Sequence, residues 1–323
     1  MFELFAQTAG AEGAGFGQYL LLGLVLGSLY ALVALGYTMV YGIVELINFA
    51  HGDLFMLGSL LALQLAWWLG YSPEVMNDPD TWRAPPLLLV PLMLVAAPLA
   101  CAALNVATDR VIYKPLRRSP KLTVIVSAIG VSFIFMNLGL FWFGATPVKF
   151  PDVVPDTNLL PPDAGLRFTW KDAMVVAVTV PAMLALTVFV KFTALGKAMR
   201  ATAQNPTAAQ LMGINVDRVI TATFALGGAL AGVAAVVYGL YIKSVNYQMG
   251  FQNGLYAFTA AVLGGIGNIP GAVLGGLVIG VVGELGKAYL GAKWSEALIF
   301  GILIVILLFR PTGLLGARVR EKV

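Results

Sequence analysis

Long apolar runs constrain this chain more than any other feature. A helix needs about 20 residues, at roughly 1.5 Å rise each, to cross the hydrocarbon of a bilayer. Runs of that order recur at residues 19–41, 49–69, 86–107, 122–143, 173–190, 219–242 and 295–309. Another apolar stretch, 255–290, is broken by Gly264-Gly265-Ile266-Gly267-Asn268-Ile269-Pro270-Gly271. It reads as two short spans or as a re-entrant pair. In lipid every backbone N–H and C=O must be satisfied within the protein, which favours helices. The expected fold is all-α: a polytopic transmembrane helix bundle of about eight to nine spans, some broken or re-entrant, in one domain over residues 1–323.

Composition agrees. Of the 323 residues, 59% are hydrophobic and 11% charged, against roughly 25% charged in a soluble domain. The chain lacks the polar groups to cover a water-soluble globule. The single cysteine, Cys101, excludes an internal disulfide and any zinc site of several thiolates. The single histidine, His51, excludes two-histidine metal motifs and argues against a hydrolytic triad. No catalytic group, metal or resident cofactor is expected, and no nucleic-acid partner. No Gly-x-x-x-x-Gly-Lys-[Ser/Thr] occurs; Lys197 and Lys287 follow glycines but precede alanines. The first 17 residues carry Glu3 and Glu12 and no Lys or Arg. They lack the basic region of a secretory signal and read as a short exposed lead into the first span.

Charge orients the spans, because Lys and Arg collect in cytoplasmic loops. Arg110, Lys114, Arg117, Arg118 and Lys121 follow the third span. Lys191, Lys197, Arg200 and Arg218 follow the fifth, and Arg310, Arg318, Arg320 and Lys322 form the tail. Among these stand only Asp109, Asp217 and Glu321 as acids. The other side carries Glu3, Glu12, Glu74, Asp78, Asp80, Asp152, Asp156 and Asp163. The amino terminus is therefore expected outside and the carboxyl terminus in the cytoplasm, which requires an odd number of spans. The outward loop 144–172, with its four prolines, reads as a solvated connector, as a cap over the outer mouth or as a contact for a soluble partner.

Two constellations stand out. Glu45, Asn48, His51 and Asp53 lie within nine residues between two apolar runs. A charge at the bilayer centre costs about 2.5–3.5 kcal/mol on insertion scales, so such residues face an interior or a wet cavity. Gly52 permits a backbone bend there. Asn48, His51 and Asp53 are candidates for the translocation pathway or its gate; a plain cytoplasmic turn between two spans is the alternative. The second constellation is the inward segment 196–214. Asn205 suits an N-cap, Pro206 the first helical position and Gly213 the left-handed residue after the last turn. A two-turn helix over about 206–212 results, with Ala208, Leu211 and Met212 as a small apolar face. It reads either as a rod that transmits push from a cytoplasmic partner or as an interfacial connector. Gly23 and Gly27 form a Gly-x-x-x-Gly pair that favours close helix packing.

Several motifs in order carry a family resemblance. Gly27-Ser28-Leu29-Tyr30-Ala31-Leu32, Leu35-Gly36-Tyr37, Tyr41-Gly42 and Ile47-Asn48-Phe49-Ala50-His51-Gly52 open the chain. Tyr113-Lys114-Pro115-Leu116-Arg117, Gly130-Val131-Ser132, the stretches 200–214 and 260–276, and Pro311-Thr312-Gly313-Leu314-Leu315-Gly316 follow. Together they resemble branched-chain amino acid ABC permeases of the LivH type, over nearly the whole chain. The resemblance implies a permease of the bacterial inner membrane that works with a second, related permease. It implies two cytoplasmic ATP-binding subunits, which carry the ATP and Mg, and an extracytoplasmic solute-binding protein. It also implies that 196–214 is the coupling segment resting on the ATPases, with Arg200, Ala203, Asn205, Ala208 and Gly213 as contact candidates. The family's usual leading Glu-Ala-Ala is replaced here by Arg200-Ala201-Thr202-Ala203. Related permeases carry urea, short amides or other amino acids, and a secondary transporter or channel is a further alternative.

Overall fold

A computed structural model describes residues 15–44, 48–73, 82–117, 119–161 and 165–316. The helices are α1 (Phe16–Val44), α2 (Ala50–Ala66), α3 (Pro86–Thr108), α4 (Lys121–Phe143), α5 (Trp170–Phe192) and α6 (Ala194–Gln204). They continue with α7 (Pro206–Leu211), α8 (Val216–Ile242), α9 (Met249–Gly264), α10 (Ile269–Tyr289) and α11 (Ala292–Phe309). A π-turn, Trp67–Tyr71, extends α2, and another, Asp109–Tyr113, carries α3 on to Leu116. Among the described residues, eight helical stretches are long and apolar enough to cross a membrane. Most outrun the apolar stretches that mark them in the sequence. Hydrophobicity records the length in contact with lipid, and the hydrogen-bond ladder runs on through polar ends such as Asp109 to Lys114.

The apolar stretch 255–290 divides into α9 and α10. Helix α9 has only 16 residues, about 24 Å of helix, so it does not cross alone. It is preceded by an extended segment that includes the two-residue strand β2 (Ser244–Val245). Among the described residues, those nearest the two termini lie at opposite ends of α1. Gln18 exchanges hydrogen bonds with the backbone of Arg167 at one end. At the other, the tail amides of Leu314 and Leu315 bond to the carbonyls of Leu263 and Gly264.

Helices α1 and α8 form the centre, each two-thirds buried over its span, whereas α11 is 11% buried and α5 17%. Lipid tails are as apolar as leucine, so close backbone packing, rather than hydrophobic burial, holds such helices together. Small residues permit it. A Cβ on Gly27 would lie 2.8 Å from Gly276 O and Leu277 Cα, and one on Gly23 would lie 2.6 Å from Val281 Cα. The Gly-x-x-x-Gly pair of α1 therefore meets α10 antiparallel and backbone to backbone. Gly228 and Gly232 seat α8 on α3 in the same way, against Cys101 and Pro98.

The loop after α4 is fastened to the bundle. Its strand β1 (Val148–Lys149) pairs antiparallel with β2. Phe150 is fully buried against Gly239. Asp152 and Asp156 both pair with Lys171, at 2.9 and 2.8 Å, and with Lys243, at 2.7 and 2.6 Å. Partial burial pushes the two carboxyls up, but the lysine hydrogen bonds and charges outweigh it and hold both below the usual carboxylate range. The loop is therefore tied down at Val148, Phe150, Asp152 and Asp156 and is not a free connector. Its alternating Val148 and Phe150 and its two aspartates carry that information, but only in view of the lysines they meet.

Candidate functional site

The turn between α1 and α2 places its polar residues inside protein. Residues 45–47 lie outside the described residues, and Glu45 with them. Asn48, His51 and Asp53 are 5%, 1% and 1% exposed. Tyr113 Oη, at the end of the π-turn after α3, donates to Asn48 Oδ1 at 2.7 Å, while Asn48 Nδ2 has no partner among the described residues. Ser132 on α4 donates to Asp53 Oδ2, and Asp53 Oδ1 is unpartnered among them. The His51 ring stands edge-on to Tyr37, 4.7 Å between centroids, in the space that a side chain on Gly36 would fill. Neither of its nitrogens makes a hydrogen bond of normal geometry within the described residues, although the Val33 carbonyl faces it. A buried polar atom without a partner costs about 1–3 kcal/mol. Several such atoms thus collect at one junction of four helices.

Asn48 borders two cavities of only about 10 Å³ each, room for little more than one water. Gly52 does not bend the chain, since α2 runs through it without interruption. It is needed because α9 crosses there: a Cβ would lie 2.8 Å from Gly254 Cα.

Beneath Asn48 lies a charged clamp that the sequence reading did not assemble. Arg117 bonds Asp109 at 2.6 Å and also pairs with Asp217, at the start of α8. Lys114 reaches Asp217 at 3.2 Å, and Thr221 donates to Asp109 at 2.7 Å. The signal was present: Asp109 and Asp217 are isolated acids in basic segments, and Tyr113 to Arg117 is one of the motifs quoted above.

The 196–214 segment holds two helices rather than one. Before the short helix comes α6, capped by the Thr193 hydroxyl on Gly196 N at 3.0 Å, with Met199 and Thr202 turned inward. Helix α7 follows with the expected signals. Asn205 Oδ1 accepts from Ala208 N at 3.0 Å, and Pro206 takes the first position. Gly213 has φ +83°, with Gly213 N on Gln210 O and Ile214 N on Ala209 O, both 3.0 Å. That is the paired closure a left-handed residue allows. Arg200 turns back to donate to the last carbonyls of α5, those of Val190 and Lys191. The apolar face is not buried: Leu211 and Met212 are 84% and 82% exposed, and Ala203, Asn205 and Ala208 are exposed too. The inward residue is Ala209, in a cluster with Tyr113, Val216, Ile220 and Phe224. Tyr113 and Phe224 stack at 5.4 Å. Tyr113 thus belongs to the apolar cluster that takes in Ala209 of α7 and also holds Asn48, so the two constellations named separately from sequence approach each other at this residue.

The profile of the family described as "Branched-chain amino acid transport system / permease component" matches residues 19–308. The chain belongs to that family. The permease is 41% identical to the high-affinity branched-chain amino acid transport system permease protein LivH of Escherichia coli K12, over 95% of its own length and 98% of the relative's. To the corresponding protein BraD of Pseudomonas aeruginosa it is 40% identical, over 95% and 97%. A more distant relative, the nucleoside ABC transporter permease protein NupB of Lactococcus lactis, is 24% identical over 65% and 58%. No solved structure matches the permease. Its motifs from Gly27 to His51 and from Tyr113 to Arg117 fall within the matched region, as does all of α6 and α7. Among the described residues no group of three or more metal-ligating side chains occurs.

Proposed function

We propose that this chain is the membrane-spanning permease subunit of an ATP-driven importer that carries leucine, isoleucine and valine into the cytoplasm. The observation that carries the reading is the end-to-end match to permeases of that name, 40–41% identical over 95% of the chain. ATP and Mg bind on two separate cytoplasmic subunits, a second related permease completes the pathway, and a soluble binding protein delivers substrate from outside. The chain itself performs no covalent chemistry. The basic ends at Lys114, Lys191 and Arg310 face the cytoplasm, and the capped end at Asp152 faces out.

The coupling helix α7, with Leu211 and Met212 bare, offers the ATPases a firm apolar knob. Motion of α7 reaches Tyr113 through Ala209, and Tyr113 holds Asn48. Asn48, His51 and Asp53 act as the gate at the α1–α2 turn. Their unpaired polar atoms make the closed packing costly enough to exchange for a second arrangement.

The test is co-purification from the native host in mild detergent, followed by ATP-driven leucine uptake in liposomes. Two ATP-binding chains and a second permease are expected to accompany this one. Recovery of this chain alone, with uptake driven by an ion gradient, would favour a secondary transporter or channel. Asn205→Val and Gly213→Pro each remove one end signal of α7, a loss of about 1 kcal/mol or more of local stability. Both variants are expected to insert and to support ATP hydrolysis while uptake falls. Normal uptake in both would remove α7 from the coupling route.

A further inference from the structure

A groove of about 360 Å³ opens on the face formed by α4, α9 and α11, within the size range of small-molecule clefts. Its α9 wall runs from Gln248 to Tyr256, past the start of α2, where Gly250 and Gly254 meet the backbone of Gly52 and Asp53. One side is apolar, built from Met136, Leu255 and Phe300. The other is polar and centred on Glu296. Gln252 Nε2 and Tyr256 Oη both donate to Glu296 Oε1 at 2.9 Å. No Lys or Arg of the described residues pairs with this carboxylate, unlike Asp109, Asp152, Asp156 and Asp217. Two neutral donors aim the carboxylate without cancelling its charge. A bare anion beside an apolar wall is poorly matched to lipid tails and well matched to a cation with an apolar body.

From this geometry we infer that the groove is where the permease receives its cargo: a zwitterionic amino acid with a branched apolar side chain. The assignment rests on the importer reading above. Glu296 takes the ammonium group. The second amide hydrogens of Gln252 and Gln248, whose first ones bond Glu296 and the Tyr247 hydroxyl, are left for the carboxylate. Met136, Leu255 and Phe300 hold the side chain. The groove thus supplies selectivity of its own, for an amino group, after the binding protein has released its load.

The decisive measurement is saturation-transfer NMR of leucine on the intact importer without its binding protein, paired with ATP-driven uptake by the same preparation. Leucine methyl signals are expected with the wild type. They are expected to vanish with 4-methylpentanoate, which is leucine without its ammonium, and in Glu296→Gln. Losing one charge-assisted contact also predicts about a tenfold drop in uptake at saturating loaded binding protein, with Glu296→Asp recovering part of it. If Glu296→Gln fails to assemble, Met136→Trp, which fills the apolar wall, must abolish the leucine signal instead. An importer that takes up leucine but shows no contact, or keeps contact and uptake in Glu296→Gln, would overturn the groove and leave the importer reading standing. A wild-type complex that hydrolyses ATP without taking up leucine would overturn the importer reading itself.

Discussion

Asp109 is a fully buried carboxylate at the membrane's edge, and Arg117 is the charge that makes it tolerable. Arg117→Ala would leave it with Thr221 alone. Removing one partner of a buried pair costs about 3–5 kcal/mol; because Arg117 is 16% exposed, the lower figure, about 3 kcal/mol, applies. Reversible unfolding in mixed detergent micelles should show that loss. The double variant Arg117→Ala/Asp109→Asn should recover part of it, because the orphaned charge is gone. Asn48 is a different case. Its amide nitrogen already has no partner among the described residues, so losing the Tyr113 contact would cost it less than Asp109 loses with Arg117.

Among the helices, backbone contact decides which positions tolerate change. Gly27→Ala places a methyl 2.8 Å from backbone atoms of α10, and neither helix can yield without separating along its length. Overpacking of this kind costs about 1–3 kcal/mol. Gly301→Ala, on α11, meets nothing within 4 Å, so it should change stability by less than about 0.5 kcal/mol. Equal effects at the two positions, measured by unfolding in the same micelles, would mean that the α1–α10 contact is looser than described. The same principle explains Gly52, which the sequence suggests as a bend and the structure uses as a crossing point for α9.

For the whole molecule, orientation is the testable property. Cys101 is buried, so a single introduced cysteine reports alone. Thr157→Cys, on the exposed capping loop, should react with an impermeant maleimide on intact cells. Lys197→Cys, exposed on α6, should react only in inverted vesicles. The reverse pattern would invert the molecule and with it the proposed direction of transport.

Much of this was legible in the sequence. The apolar spans and the α7 caps follow from local rules: hydrophobic length, and side-chain or glycine geometry at a helix end. These depend on residues a few positions apart, so a linear reading reaches them. The pinned loop, the Arg117 clamp, the route from Ala209 through Tyr113 to Asn48, and the Glu296 groove join residues some tens to more than a hundred positions apart. Nothing in a residue's neighbours says which distant helix will press on it. That was decided only when glycine-lined helices came close enough for their side chains to meet.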